Sequence, residues 1–459
     1  MKVYKILWVD DDFSQYSFFD DIINSTNEAL SQYCISLDFK KRDKIDSEIN
    51  KELITGEYKL FITDIKINNN DMESYTLATS VAINNKIHYM IYSSYIEISN
   101  EQINDDLCIA RLEKKKDITD FVNILVDFFK SPPFRILHLT DLHFDTSLNS
   151  TKNQNETLNS LLEYLKTLNN ECKFDFAVFT GDIANKNVTE DINKAYIYLN
   201  TIREELFNER QDRFLIIPGN HDCLWNDYEK KIISQRPWDS YIWFWTNFYK
   251  STRISFGDTY HDFDLQKKYN SDDLSWHIEY RDPKVSIIGI SSIITSSDES
   301  NLGSVTPNNI SFIMKYWSKP TDSMRILLLH HNLIPTISNN PQDEKSSILS
   351  LGDLLNTLRL TNCKLVLSGH THNPNLIKLH FSEFFDNSIS EPYEFISISA
   401  GSCGGSHPAG DRKKTFNVID IGYSQSKSPT RNIKVTPYLY NSLDNKWYKS
   451  ISGLKEEIM

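Results

Sequence analysis

Short apolar runs recur through the first 130 residues, each separated from the next by enough chain for one helix. They are VYKILWV, CISLDF, YKLFIT, IHYMIY and LCIARL, apolar over most of their length rather than strictly alternating. Runs of this kind read as strands, and their alternation with helix-length segments argues for a parallel sheet. The last intervening stretch, DITDFVNILVDFFK, places Ile118, Phe121, Ile124, Leu125 and Phe128 on one helical face. The pattern predicts a doubly wound, five-stranded parallel sheet over residues 1–130.

The alternation breaks at KSPPF, Lys130 to Phe134. Adjacent prolines stop a helix and hold the chain extended, so 131–133 reads as a linker and 134–459 as a second domain. Its apolar runs are FRILHLT, FDFAVFT, RFLIIP, VSIIGISS, RILLLH, CKLVLSG, FISISAG and FNVIDIG. Helical stretches such as NETLNSLLEYLKTL and DINKAYIYLNTIREELF separate the early runs, and the later ones lie closer together. This predicts a layered α/β domain with two sheets packed face to face. An insertion at about 224–283 contains RPWDSYIWFWTNFYK. It reads as a helix whose rings form a local core, and a cap over a substrate site is compatible with that.

Composition narrows the class. Hydrophobic residues make up 40% and charged residues 24% of the 459, as in soluble globular chains. No apolar run approaches the roughly 20 residues that span a bilayer. The opening MKVYKILWVDDDF meets three acids at once and does not read as a signal peptide. Six scattered cysteines form no C-x-x-C pair, which predicts a reducing, cytoplasmic setting without disulfides or a thiolate metal site. A net charge of −13 offers nucleic acid no global attraction, so such a partner is not favoured.

The chemistry sits at the ends of the runs. ILHLT leads to Asp141 and His143, FAVFT to Gly181-Asp182, and FLIIP to Gly219-Asn220-His221-Asp222. RILLL leads to His330-His331, and KLVLS to Gly369-His370-Thr371-His372. Carboxyl ends of neighbouring strands converge on one crevice in an α/β sheet. Imidazole, carboxylate and amide oxygen donors without thiolate fit Mn²⁺, Fe, Zn²⁺ or Ni²⁺. A pair of such ions polarises water and clamps phosphoryl oxygens. If the first strand runs through, Asp141 and His143 share a face and His138 points away into the core.

The order D-x-H, G-D, G-N-H-D, H and G-H-x-H resembles the calcineurin-like metallophosphoesterase family, over roughly Phe134 to Leu439. The resemblance implies a four-layered α/β/β/α sandwich and two divalent metal ions. It implies Asp141, His143 and His372 on the first ion, Asn220, His330 and His370 on the second, and Asp182 between them. His221 would be the histidine near the leaving oxygen, and Asp222 could orient it. His330 is favoured over His331 because it comes straight off the apolar run, and a role for His331 stays open. TGDIANKN and FISISAGSCGGS resemble the branch with cyclic-nucleotide phosphodiesterases, which implies a phosphodiester or nucleotide substrate. A DNA or RNA nuclease and a non-catalytic metal-containing scaffold are the rivals. His407, in GGSHPAG, reads as surface loop, with a place facing the pocket as the alternative.

In the first domain ILWV runs into Asp10 and Asp11, KLFIT into Asp64, YMIYS into Ser93 and IARLE into Lys114. Strand-end carboxylates can hold Mg²⁺, and a nearby hydroxyl and ammonium can recognise a phosphoryl group. Together they resemble a response-regulator receiver domain. That implies Asp64 as phospho-acceptor, Asp10 and Asp11 as Mg²⁺ acids, Ser93 as the switch hydroxyl and Lys114 as the phosphate-pairing lysine. The usual proline and glycine after the acceptor are Asn68 and Met72 here, and the proline after the lysine is Lys115. The implied partners are a histidine kinase or another regulatory protein, with a homodimer compatible and no membrane.

Overall fold

The computed structural model describes residues 2–13, 17–32, 35–44, 47–55, 58–65, 80–84, 87–94, 107–114, 118–130, 133–146, 151–185, 189–208, 210–223, 237–249, 270–294, 302–321, 323–334, 348–381, 384–385, 388–389, 393–404, 414–423, 431–450 and 454–458. The chain divides into two compact units, Met1–Pro133 with Gly422–Arg431 and Met459, and Phe134–Ile421 with Asn432–Ile458.

The first unit holds β1 (Lys2–Val9), β2 (Ile35–Arg42), β3 (Tyr58–Thr63), β4 (His88–Ser93) and β5 (Cys108–Glu113). They form a five-stranded parallel sheet in the order β2-β1-β3-β4-β5. Side chains alternate across it. Ile6, Trp8, Leu60, Ile62, Met90 and Tyr92 pack with the helices Phe18–Ser31 and Thr119–Lys130. Leu7, Val9, Phe61, Tyr89 and Ile91 pack on the other face with Ile49 and Leu53 of the helix Ser47–Thr55. Both faces are covered, which is why the strands read as unbroken apolar runs. The order in which strands are added reverses between β1 and β3, and in open α/β sheets ligands bind in the crevice at the carboxyl ends of strands at such a point.

The second unit continues with β6 (Phe134–Leu139), β7 (Phe176–Phe179), β8 (Phe214–Ile216), β9 (Trp276–Arg281), β10 (Lys284–Gly289) and the short β11 (Gly303–Ser304). Then come β12 (Met324–Leu328), β13 (Ile348–Leu349), β14 (Leu365–Ser368), β15 (Asn375–Phe381), β16 (Phe384–Phe385), β17 (Ser388–Ile389) and β18 (Tyr393–Ser399). It closes with β19 (Thr415–Tyr423), β20 (Arg431–Asn441), β21 (Lys446–Lys449) and β22 (Leu454–Ile458). One sheet has the order β21-β20-β19-β6-β7-β8, with β22 on β20, and the other has β15-β18-β14-β12-β10-β9. β10, β12, β14 and β18 are parallel, flanked by antiparallel β9 and β15.

Val285, Ile287, Ile326, Leu328, Leu365 and Leu367 face a core shared with the first sheet and with the helices Thr151–Glu171, Thr189–Phe207 and Asp239–Tyr249. Ile288, Leu327, Val366 and Phe395 face the opposite way, against Ile313 and Trp317 of Pro307–Trp317 and Leu354 and Leu358 of Leu351–Leu360. The result is the expected layering, helix on sheet on sheet on helix.

The aromatic helix of the insertion is built into this main core. Tyr241, Phe244, Trp245, Phe248 and Tyr249 are buried in it. Tyr249 also closes the edge of β8: its hydroxyl accepts from Ile216 N at 2.9 Å and donates to Phe214 O at 2.7 Å. Residues 224–236 and 250–269 of the insertion lie outside the described residues. Tyr249→Phe would leave a buried edge-strand N–H and C=O without these partners. We expect a loss of about 1–3 kcal/mol in urea unfolding, and an unchanged midpoint would refute this role.

Candidate metal centre

The segments after β6, β7, β8, β12 and β14 carry Asp141 and His143, Asp182, Asn220, His330, and His370 and His372. Three of those strands belong to one sheet and two to the other, so the site forms where the carboxyl ends of both sheets meet. β6 stops at Leu139, and Asp141 and His143 lie beyond it with left-handed backbone, φ 54° and 45°. Strand alternation therefore does not place them. Asp182, His370 and His372 share the left-handed conformation, with φ 59°, 70° and 54°. Positive φ costs non-glycine residues roughly 1–3 kcal/mol and is held by its surroundings. Here Gln154 Nε2 donates to His143 O at 3.0 Å, and Ser402 Oγ donates to Asp141 O at 2.7 Å.

The donor atoms gather in two groups. Asp141 Oδ1 lies 3.0 Å from His372 Nε2 and 3.5 Å from His143 Nε2, and the two imidazole nitrogens are 3.0 Å apart. In the second group His330 Nε2 lies 2.9 Å from Asn220 Oδ1 and 3.2 Å from His370 Nδ1, which is itself 3.0 Å from Asn220 Oδ1. Asp182 Oδ2 belongs to both, 3.6 Å from His143 Nε2 and 3.3 Å from His330 Nε2. Its other oxygen accepts from His221 N at 2.8 Å.

These residues fit a pair of cations. Asp141 Oδ1 is buried and takes no hydrogen bond beyond its imidazole contacts, while Oδ2 accepts from Thr140 Oγ1 at 2.6 Å and His370 N at 3.0 Å. His330 Nδ1 donates to the Thr180 carbonyl at 2.7 Å, so Nε2 is the nitrogen turned inward, toward Asn220 and Asp182. Carboxylate and amide oxygens and imidazole nitrogens, without thiolate, are donors that suit borderline divalent cations. Burial opposes every charge here, yet the imidazoles, His372 first at Asp141 and His330 first at Asp182, hold both carboxyls well below the usual range. Burial also disfavours charge on His330, but the Asp182 carboxylate outweighs it and lifts the ring to about 9. His370 is held down to about 3 by burial and then by His330.

His221 sits at the rim. Its ring is 4.7 Å from that of His143, and Nδ1 donates to Asn185 O at 2.8 Å, which leaves Nε2 for the crevice. Its donor atom groups with those of His143 and Asp182. Asp222 is buried and accepts from three main-chain groups, Gly219 N at 2.8 Å, Ile183 N at 2.8 Å and Ala184 N at 3.3 Å. It locks the Asp182 loop to the Asn220 loop, and the imidazole of His221 takes its orientation from Asn185. Gly219 and Gly181 leave no space for a side chain: a Cβ on Gly181, at φ 99°, would lie 2.6 Å from His330 Nδ1.

His331 is fully buried beside the ring of His370 and outside the donor groups. His138 is a core residue, with Nε2 3.1 Å from Thr180 Oγ1, and burial pushes its ring down to about 3. Its unfolded value is higher, near 6.5, so the unfolded chain takes up a proton between pH 6.5 and 3 while the folded chain does not. Stability is therefore lost as pH falls through that window. Between pH 7 and 5, His138→Gln is expected to lose about 2 kcal/mol less than wild type in urea unfolding; parallel pH profiles would contradict it.

In the first unit Lys114 Nζ reaches Asp64 Oδ2 at 2.5 Å, Asp10 Oδ1 at 2.8 Å and Asp12 Oδ2 at 3.0 Å. Oxygens of Asp10, Asp11, Asp12 and Asp64 lie close enough to hold one cation. Ser93 is buried at the end of β4, and its carbonyl accepts from Lys114 N at 3.2 Å. Burial raises Asp10 to about 6 against the pull of Lys114. Asp12, Asn185, Gln154, Thr140 and Ser402 escape a sequence reading. Asp12 was within reach of one, as the third acid of the run. His407, Asn68, Met72 and Lys115 lie outside the described residues.

The sequence pattern of the calcineurin-like phosphoesterase family matches residues 134–374, more than half of the chain. A similar protein is the uncharacterized metallophosphoesterase-like protein YydB of Bacillus subtilis, 24% identical over 334 residues, or 70% of this chain. The chain spans 62% of the length of that relative. Among solved structures, a sensor protein from Polaromonas matches with 16% identity and TM-score 0.20 over 27% of this chain and 92% of its own. A response regulator receiver domain protein from Clostridium thermocellum matches with 15% identity and TM-score 0.19 over 27% and 90%. No helix among the described residues is long and apolar enough to cross a membrane.

Proposed function

The chain belongs to the calcineurin-like phosphoesterase family, and from that membership we propose a dinuclear phosphodiesterase acting on nucleotides or cyclic nucleotides, controlled by its receiver-like unit. The observation that carries the reading is Asp182 Oδ2, one buried oxygen shared by two groups of donors. Asp141, His143 and His372 would hold one ion, and Asn220, His330 and His370 the other. Two divalent ions, Mn, Fe, Zn or Ni, supply Lewis acidity toward a phosphoryl group and an activated water. His221 is aimed by Asn185 so that Nε2 can give a proton to the leaving oxygen or stabilise its charge. Asp222 holds the two loops in register beneath it.

The test is a metal-reconstituted panel of bis-p-nitrophenyl phosphate, cyclic nucleotides, dinucleotides, NTPs and DNA. Turnover of the small diesters with Mn²⁺ is expected. Cleavage of plasmid or single-stranded DNA in their place would make the chain a nuclease, against the net charge of −13. No turnover, with Asp182→Asn leaving the biological output intact, would make it a scaffold.

For the first unit, the cluster of Asp10, Asp11 and Asp64 at the carboxyl ends of β1 and β3, with Lys114 on Asp10 and Asp64, supports Mg²⁺-assisted phosphorylation of Asp64 by a histidine kinase. Added charge there biases a two-state contact, through a helix or a dimer partner. Acetyl phosphate should change the wild-type hydrolysis rate and leave that of Asp64→Ala unmoved. Identical responses would remove phospho-gating.

A further inference from the structure

His330, His331 and Asn332 are consecutive, and the structure uses all three against the His370–His372 loop. His330 meets His370 nitrogen to nitrogen at 3.2 Å. Asn332 Nδ2 donates to Thr371 Oγ1 at 2.8 Å. Between them, the ring of His331 lies with its centroid 4.3 Å from that of His370 at 49°, and 5.3 Å from that of His330 at 80°. The rings of His330 and His370 are 5.0 Å apart, so the three imidazoles wedge one another. His331 is itself clamped. Its main-chain N–H donates to Ser292 Oγ at 3.2 Å, and the same hydroxyl lies 2.8 Å from Nδ1. One oxygen thus fixes both the backbone and the ring angle. Gly303 is also so close that a Cβ there would lie 2.6 Å from His331 Cγ.

We infer that His331 is a positioning residue for the ion held by Asn220, His330 and His370, acting through its clamped ring to aim both histidine nitrogens at one point. The inference rests on the dinuclear reading and deepens it. Ligand orientation by a supporting partner is worth about 10–100-fold in metal affinity. The histidine rings packed on His331 are those of His330 and His370, both donors of the second group, so its effect falls on one ion of the pair.

The experiment titrates Mn²⁺ into the metal-stripped full chain by calorimetry. Wild type is expected to take up two ions. His331→Ala should weaken one of them about 10–100-fold and leave the other unchanged. Ser292→Ala, which keeps the ring but frees it, should weaken the same ion by a smaller factor. His331→Phe, which keeps a ring against His370, should recover much of the loss. Unchanged affinities in His331→Ala, or equal weakening of both ions, would overturn the inference. If His331→Ala does not fold, wild-type affinities in Ser292→Ala would overturn it instead. A wild-type chain that takes up no ion at all would overturn the dinuclear reading, and this inference with it.

Discussion

Asp182→Asn is expected to lower turnover of bis-p-nitrophenyl phosphate at least about 1000-fold, because transition-state charge stabilisation by a metal pair is worth several kcal/mol. The substitution is nearly isosteric and can keep one carbonyl oxygen for the His221 N–H, now 2.8 Å from Oδ1. What it removes is the second oxygen, which serves both groups of donors. An amide nitrogen has no lone pair to offer a cation and turns two N–H donors toward the crevice. Metal content measured beside the rate would fall with it, while the circular dichroism spectrum stays that of wild type. A variant within tenfold of wild type would sink the shared-oxygen arrangement.

Asp222→Ala is expected to cost about 3 kcal/mol or more in urea unfolding and to weaken both ions together. Removing the carboxylate takes away the oxygens to which three buried N–H groups donate, and each stranded donor costs about 1–3 kcal/mol. Those donors, on Gly219, Ile183 and Ala184, belong to the loops that present Asn220 and Asp182. Close approach leaves no alternative packing, since a Cβ on Gly219 would collide with Asp182. Asp222→Asn retains one acceptor and should lose less. A cost under about 1 kcal/mol for the alanine variant would show that the loops hold without it.

Much of this architecture was legible because its causes are local. Strands buried on both faces announce themselves as apolar runs, and those of both central sheets did. Some strands did not: the edge strands β9, WHIEYR, and β15, NLIKLHF, and β20, RNIKVTPYLYN, between β19 and β21, mix polar with apolar residues. The seven side chains of the candidate metal centre were legible as strand endings, and the structure brings them close to one another. Their route there was not. Parity along β6 assigns His138 to the core, where it lies, but Asp141 and His143 reach the site through left-handed turns beyond the strand. Such turns depend on partners such as Gln154 and Ser402, distant in sequence and unmarked by any motif. The place of Asp222 was hidden for the same reason, since its acceptors' partners are main-chain groups without sequence identity.

The drawing of donors from both sheets has a mechanical consequence. Apolar faces hold sheets together but permit them to slide and rotate, because that attraction has no preferred direction. Coordination is directional. Groups after β6 and β7 gripping the same ions as groups after β12 and β14 would set the slip and twist between the layers. The ions would then act as dowels for the whole sandwich, and a shift of one sheet by a fraction of a strand spacing would be felt first at the reacting phosphorus.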